Sequence, residues 1–194
     1  VIRMLRNHPS IILWAGDNEI DQLNAGYGFA PEANKITREW LPEEVALNDP
    51  SRPFLASSPY IASLADNGRS PEDHLWGPRD YFKSDFYSQS KAHFVSETGY
   101  HGCPSLESIK KFITPERVWP YKNNEEWILH SCDQGDWDFR VMLMEKQVVQ
   151  LFGELPEIPE EYILASQISQ AEAKKYFIER FRIEKGRKTG ILWW

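Results

Sequence analysis

Short apolar runs alternate along the chain with longer stretches in which apolar residues recur every three or four positions. The run Ser10-Ile-Ile-Leu-Trp-Ala15 is nearly continuous, with Pro9 before it and Gly16-Asp-Asn-Glu19 after it. An apolar run bounded by turn residues suits a strand over 11–15 buried on both faces of a sheet. Similar runs over 53–57, 74–76, 92–96 and 191–194 make five expected strands. Val141, Met144, Val148 and Leu151 follow helical spacing, with Asp136 and Asp138 ahead of them and Gly153 where the helix should stop. A second helix is predicted through Leu164, Ile168, Ala171, Ile178 and Phe181, ended by Lys185-Gly186-Arg187. Strands alternating with helices imply a parallel sheet and an α/β fold.

The 194 residues carry a net charge of −7, which argues against nucleic acid or an anionic membrane as a partner. No run of about 18 apolar residues is long enough to cross a bilayer. There are no repeats, and the Pro-rich patches at 48–53 and 155–160 look like loops within one unit. The length is below the roughly 250 residues of a complete (β/α)₈ barrel. With five strands, it predicts the C-terminal part of such a TIM barrel, about strands 4 to 8, as one domain over 1–194 truncated at both ends. The opening without Met and the close on the apolar run Gly190-Ile-Leu-Trp-Trp194 carry the same expectation. An open doubly wound sheet is the competing architecture, disfavoured in its nucleotide-binding form because no Gly-rich phosphate loop follows any strand. Two cysteines, Cys103 and Cys132, are too few for a disulfide scaffold and define no compartment.

Glu19 and Glu97 stand just beyond the first and fourth expected strands, where a barrel enzyme carries its chemistry. Two carboxylates facing each other across a barrel mouth, one protonated and one ionised, are what glycoside hydrolysis requires. A strand-end glutamate that merely caps a helix or pairs with arginine is the plainer alternative. The 13% aromatic content supplies flat surfaces for sugar rings, with Trp76 and His74 as sugar-contact candidates and Trp193 third, against a purely structural role for each. His101-Gly-Cys103 and His130-Ser-Cys132 invite a zinc reading, but His-x-Cys is not the usual zinc-ligand spacing and no metal is expected. The acidic loop 133–138 lacks the grammar of a calcium loop and is expected to be solvated and to cap the helix after it.

The flanks of both glutamates are distinctive: Arg6-Asn-His-Pro-Ser-Ile-Ile-Leu-Trp-Ala-Gly-Asp-Asn-Glu19 and Ser96-Glu-Thr-Gly99. They resemble glycoside hydrolase family 2. Asp73-His-Leu-Trp-Gly77 and Ala165-Ser-Gln-Ile-Ser-Gln-Ala-Glu-Ala173 are similar to segments of its β-mannosidase branch. The resemblance implies that Glu19 is the acid/base, Asn18 the partner of the sugar 2-hydroxyl and Glu97 the nucleophile. The chain departs from that branch at Thr98 and at Tyr100-His101, where subsite shape is expected to differ. A retaining exo-β-glycosidase is implied, acting on terminal β-linked sugars through a covalent glycosyl-enzyme, β-mannosides first and β-galactosides or β-glucuronides behind. No cofactor is required. The rivals are a carbohydrate-binding barrel remnant without turnover and a zinc-stabilised interaction domain. A barrel cut open exposes strand edges, so this piece is expected to self-associate and to hydrolyse little by itself.

Overall fold

All five expected strands form, and every pairing among them is parallel. The computed structural model describes residues 1–62, 72–76, 81–131 and 139–194 as a mixed α/β structure. Its elements are α1 (Ile2–Leu5), β1 (Trp14–Asn18), α2 (Ile20–Gly26), α3 (Leu41–Asn48), β2 (Phe54–Ser58), β3 (Glu72–Leu75), α4 (Asp85–Ser88), β4 (Phe94–Thr98), α5 (Leu106–Ile109), α6 (Glu125–His130), α7 (Phe139–Phe152), α8 (Pro159–Ile183) and β5 (Gly190–Trp193). β1 pairs with β2, and β3, β4 and β5 form a three-stranded sheet in that order. One compact unit takes in Val1–Leu75, Lys91–Thr98 and Lys185–Trp194 and holds every strand; a second takes in Trp76–Ser90 and Gly99–Glu184. Among the described residues no helix is long and apolar enough to cross a membrane.

β1 lies three residues later than the apolar run indicates. Pairing with β2 begins where Trp14 N donates to Pro53 O at 3.0 Å, and Ile12 and Leu13 ahead of it are exposed. The Trp14 indole N–H donates to Asp49 Oδ2 at 2.9 Å, which fixes the strand's start against the end of α3. That bond, with those from Ser51 and Arg52, holds the Asp49 carboxyl below its usual range. Gly16, which reads as a breaker, stands in mid-strand because a Cβ there would lie 2.4 Å from the Ala56 carbonyl oxygen. The expectation of a strand buried on both faces is corrected too: β1 has half-buried residues at Trp14, Gly16 and Asp17 and exposed ones at Ala15 and Asn18.

The second unit is helical. α7 stops at Phe152 before Gly153, whose φ of +86° only glycine adopts without strain. α8 runs 25 residues from Pro159, which suits a first helical turn because the missing N–H has no intrahelical partner there. Ile109, Trp127, Val141, Val148 and Tyr162 build its apolar core, with Tyr121 and Tyr162 stacked at 4.4 Å. Burial of the two phenols pushes both above the usual tyrosine range. Asp136, Asp138 and the rest of the loop 133–138 lie outside the described residues.

Candidate active site

Glu97 lies inside β4, not beyond it, and an irregularity in the ladder sets its position. Glu72 and Asp73 of β3 pair with Phe94 and Val95, but His74 and Leu75 pair with Glu97 and Thr98, so Ser96 is an extra residue on β4. The β5 side carries the same shift, with Val95 opposite Ile191 and Thr98 opposite Trp193. A bulge of this kind re-aims a side chain and often sits beside an active site. Here it brings Glu97 into register with His74 and puts Ser96 against Glu72. Thr98, fully buried, closes the strand by donating from Oγ1 to Leu75 O at 2.6 Å.

Glu19 is set by a different device. Its backbone adopts φ +63° and ψ +6°, the left-handed region, so the chain turns within one residue from β1 into α2. That conformation costs a non-glycine residue about 1–2 kcal/mol and persists only where the surroundings impose it. Glu19 N donates to Ser58 O at 2.8 Å, and Glu19 O accepts from Leu23 N at 2.9 Å. Ser57 Oγ donates to Asp17 Oδ1 at 2.5 Å and accepts from Asp21 N at 3.2 Å, and Asp17 Oδ1 also accepts from Ile20 N at 3.3 Å. Asp21, with no exposed surface, receives Arg38 and the Ile61 N–H; its burial outweighs both and raises its carboxyl above the usual range.

These two devices bring Glu19 and Glu97 to the same imidazole. His74 Nδ1 lies 2.8 Å from Glu19 Oε1 and 3.8 Å from Glu97 Oε2, and one nitrogen or oxygen from each of the three side chains lies within 4.8 Å of the other two. The His74 side chain is only 2% exposed, against 33% for Glu19 and 20% for Glu97, so the carboxylates reach solvent and the imidazole does not. Two donors on one tetrahedral zinc stand about 3.3 Å apart. The Glu19–His74 contact is shorter, at hydrogen-bond length, and the cluster fits an acid–base arrangement better than an ion cage. Behind it, Ser58 Oγ lies 3.0 Å from His74 Nε2 and 2.5 Å from Glu72 Oε1, and Tyr60 N donates to Glu72 Oε2 at 3.2 Å.

The other sequence candidates are distributed differently. Asn18 closes β1 one residue before Glu19, with its side chain exposed. Trp193 ends β5, half-buried and in register with Thr98. Trp76 belongs to the second compact unit, where its indole lies across Gly99: a Cβ there would come within 2.5 Å of the ring. Its carbonyl accepts from Tyr87 Oη at 2.9 Å, and its ring centroid is 6.5 Å from that of His101. Cys103 is buried in the helical core with Sγ 3.7 Å from Met144 Sδ, and burial pushes its thiol up to about 11. Cys132 and Gly77 lie outside the described residues. Ser58, Glu72 and Ser96 escaped the sequence reading, since polar residues in a strand normally mark a solvated face.

A mixed α/β unit with two carboxylates and a histidine converging at the C-terminal ends of parallel strands is the arrangement in which α/β enzymes carry out acid–base chemistry. Comparison with known proteins narrows this. No family model matches the chain. The β-mannosidase of Rattus norvegicus is 27% identical over 225 residues, taking in 100% of this chain and 25% of that protein. β-Mannosidase B of Thermothelomyces thermophilus is 27% identical over 193 residues, 88% of this chain and 22% of that protein. The crystal structure of the β-D-mannosidase from Dictyoglomus thermophilum matches the whole chain with a TM-score of 0.82 at 30% identity, over 24% of its own length. The chain thus spans about a quarter of the length of these relatives. Over its full length the chain is similar to β-mannosidases, in line with the resemblance to the β-mannosidase branch of glycoside hydrolase family 2 read from its motifs.

Proposed function

We propose that this chain is the part of a (β/α)₈ catalytic domain, one domain over 1–194 extending in the whole protein beyond both of its ends, that carries the two catalytic carboxylates of a retaining exo-β-mannosidase. The observation that carries the reading is the convergence of Glu19 and Glu97 on His74, with donor atoms within 4.8 Å. A carboxylate oxygen of Glu19 within 4.8 Å of one of Glu97 supports the close pairing of retention over inversion, which needs about 6.5–9.5 Å between carboxyls to seat a water. Glu97 attacks the anomeric carbon and forms a glycosyl ester while the bond to the leaving oxygen breaks. Glu19 gives that oxygen its proton, then as a base takes one from water, and the water oxygen displaces Glu97. Asn18 bonds the sugar 2-hydroxyl and Trp193 contacts the sugar, while His74, whose imidazole does not reach solvent, acts through Glu19 and Glu97. The substrate is a terminal β-linked sugar, and mannose is the choice the relatives favour.

Proton NMR of an aryl β-mannoside during hydrolysis by the whole protein tests the reading. The β-anomer of mannose should form first and mutarotate later. First appearance of the α-anomer would exclude retention, and turnover undiminished in Glu97→Ala would remove the nucleophile. Faster turnover of an aryl β-galactoside than of the mannoside would move the substrate to the second choice.

A further inference from the structure

Ser58 and Glu72 lie on the side of His74 away from Glu19, and the hydrogen-bond geometry around them constrains where the protons are. Glu72 accepts from Ser96 Oγ and, through Oε2, from Tyr60 N at 3.2 Å, while Ser58 Oγ stands 2.5 Å from its Oε1. A carboxylate surrounded by donors is acceptor-only, and it draws a hydroxyl proton more strongly than a neutral imidazole nitrogen does. The single Ser58 proton therefore goes to Glu72, at 2.5 Å, and not to His74 Nε2, at 3.0 Å. Ser58 can then only accept from His74, so Nε2 bears the hydrogen. Nδ1 of a neutral imidazole in that tautomer is a bare acceptor, and a bare acceptor makes no 2.8 Å contact with a bare carboxylate oxygen.

We infer that Ser58 and Glu72 are positioning residues which keep His74 protonated at Nε2 and so hold one proton on the line between His74 Nδ1 and Glu19 Oε1. The inference rests on the reading of Glu19 as acid/base, to which it adds the origin of the acid's proton. Among the described residues, the groups facing His74 are Glu19 after β1, Ser58 from β2 and Glu97 from β4, with Glu72 and Asp73 on its own strand: four carboxyl groups and a hydroxyl. When the glycosidic C–O bond breaks, this proton moves to the leaving oxygen and the Nε2 hydrogen stays in place. In the deglycosylation step, water returns a proton to the same line.

Ring nitrogens of ¹⁵N-histidine, read by long-range ¹H–¹⁵N correlation in the full chain with His74 identified through His74→Asn, test the inference without any activity. The wild type should carry hydrogen on Nε2. Ser58→Ala should let the Nδ1–H tautomer appear, and Ser58→Thr should restore the wild-type pattern. Glu72→Gln, the same shape without the charge, should act as Ser58→Ala does and provides the reading if Ser58→Ala fails to fold. A wild type with bare Nε2, or a pattern unchanged in both Ser58→Ala and Glu72→Gln, overturns the inference. In the whole protein, Ser58→Ala should lower kcat for substrates with poor leaving groups about tenfold or more, with KM and good leaving groups little affected. An equal loss on both substrates overturns the positioning role. A correct ring pattern in a protein that hydrolyses no β-glycoside would sink the functional reading and leave the proton assignment standing.

Discussion

The chain positions its two glutamates by opposite means. Glu97 is inside a ladder: β4 is hydrogen-bonded on both sides, and one inserted residue, Ser96, moves it into register with His74. Glu19 is outside any ladder, on a single left-handed residue that side-chain bonds from Ser57 and Asp17 and a buried Asp21 pin from either side. The first device spends little strain and depends on strand pairing. The second stores strain in one residue and depends on a polar network. A retaining pair needs one carboxylate fixed for attack and one able to exchange protons with solvent. The roles proposed for the two glutamates are in keeping with their exposures, Glu97 being the more enclosed of the two.

Deleting Ser96 should have the largest effect. A one-residue slip moves strand side chains to the other face, so removing the bulge takes either Glu97 or the Phe94–Val95 half of β4 out of register. Hydrolysis by the whole protein is expected to fall more than about a hundredfold, the scale of ångström misplacement of a reacting group. Ser96→Ala, which keeps the bulge, should cost far less; equal losses would mean that the bulge positions nothing.

Gly16→Val comes next. Its side chain meets the Ala56 carbonyl, backbone that cannot move aside, and denaturant unfolding should show a loss of about 1–3 kcal/mol. A neutral result would break the account of how β1 approaches β2.

Much of the fold was readable because strands of a parallel sheet are short apolar runs and helices have their own period. Both signals are strong at β2 and α7; at α8 the helix forms, but Leu164, Ile168 and Ile178, read as its apolar face, are exposed, and Tyr162, Ile163, Ala173 and Phe177 are buried instead. β1 was displaced because Ile12 and Leu13 look like core yet are exposed, while Gly16 looks like a turn yet allows close packing. The convergence of Glu19 and Glu97 was legible from the motifs around them, but the placing of Glu97 beyond its strand was not right, since β4 runs on to Thr98. The bulge was not legible, since nothing in Val95-Ser-Glu97 separates an inserted residue from a paired one. Nor was the left-handed turn, because glutamate is not a residue that announces it. The Glu72–Ser58 network stayed hidden because its partners come from strands far apart in sequence.

Glu19→Gly should sharpen the comparison at its strained side. Both Glu19→Gly and Glu19→Ala remove the carboxyl group, but glycine alone relieves the left-handed backbone, so the glycine variant should be more stable than the alanine variant by about 1 kcal/mol. Equal stabilities would mean that the turn stores no strain.

The smallest expected effect concerns Asp73. Burial raises its carboxyl above the usual range, outweighing the His74 N–H bond, and neighbouring Glu72 adds to the rise. A carboxyl raised in the folded state binds its proton more tightly there than in the unfolded chain, so ionisation costs stability as pH rises through the folded value. Asp73→Asn should therefore raise Tm by a few degrees at neutral pH. The gain should vanish as pH falls below the ordinary carboxylate range, where the carboxyl is uncharged in both the folded and the unfolded chain. A gain that persists there would assign the effect to packing instead.

The central claim, that Glu97 is the carboxylate that attacks sugar while Glu19 exchanges the proton, is tested most directly by trapping the intermediate. A 2-deoxy-2-fluoro-β-mannosyl fluoride slows release of the glycosyl ester, and peptide mass spectrometry of the whole protein locates the sugar. The expected result is one fluoromannosyl group on the peptide holding Ser96-Glu97-Thr98, absent in Glu97→Gln and retained in Glu19→Gln. Label on Glu19, or on any peptide without Glu97, would contradict the assignment.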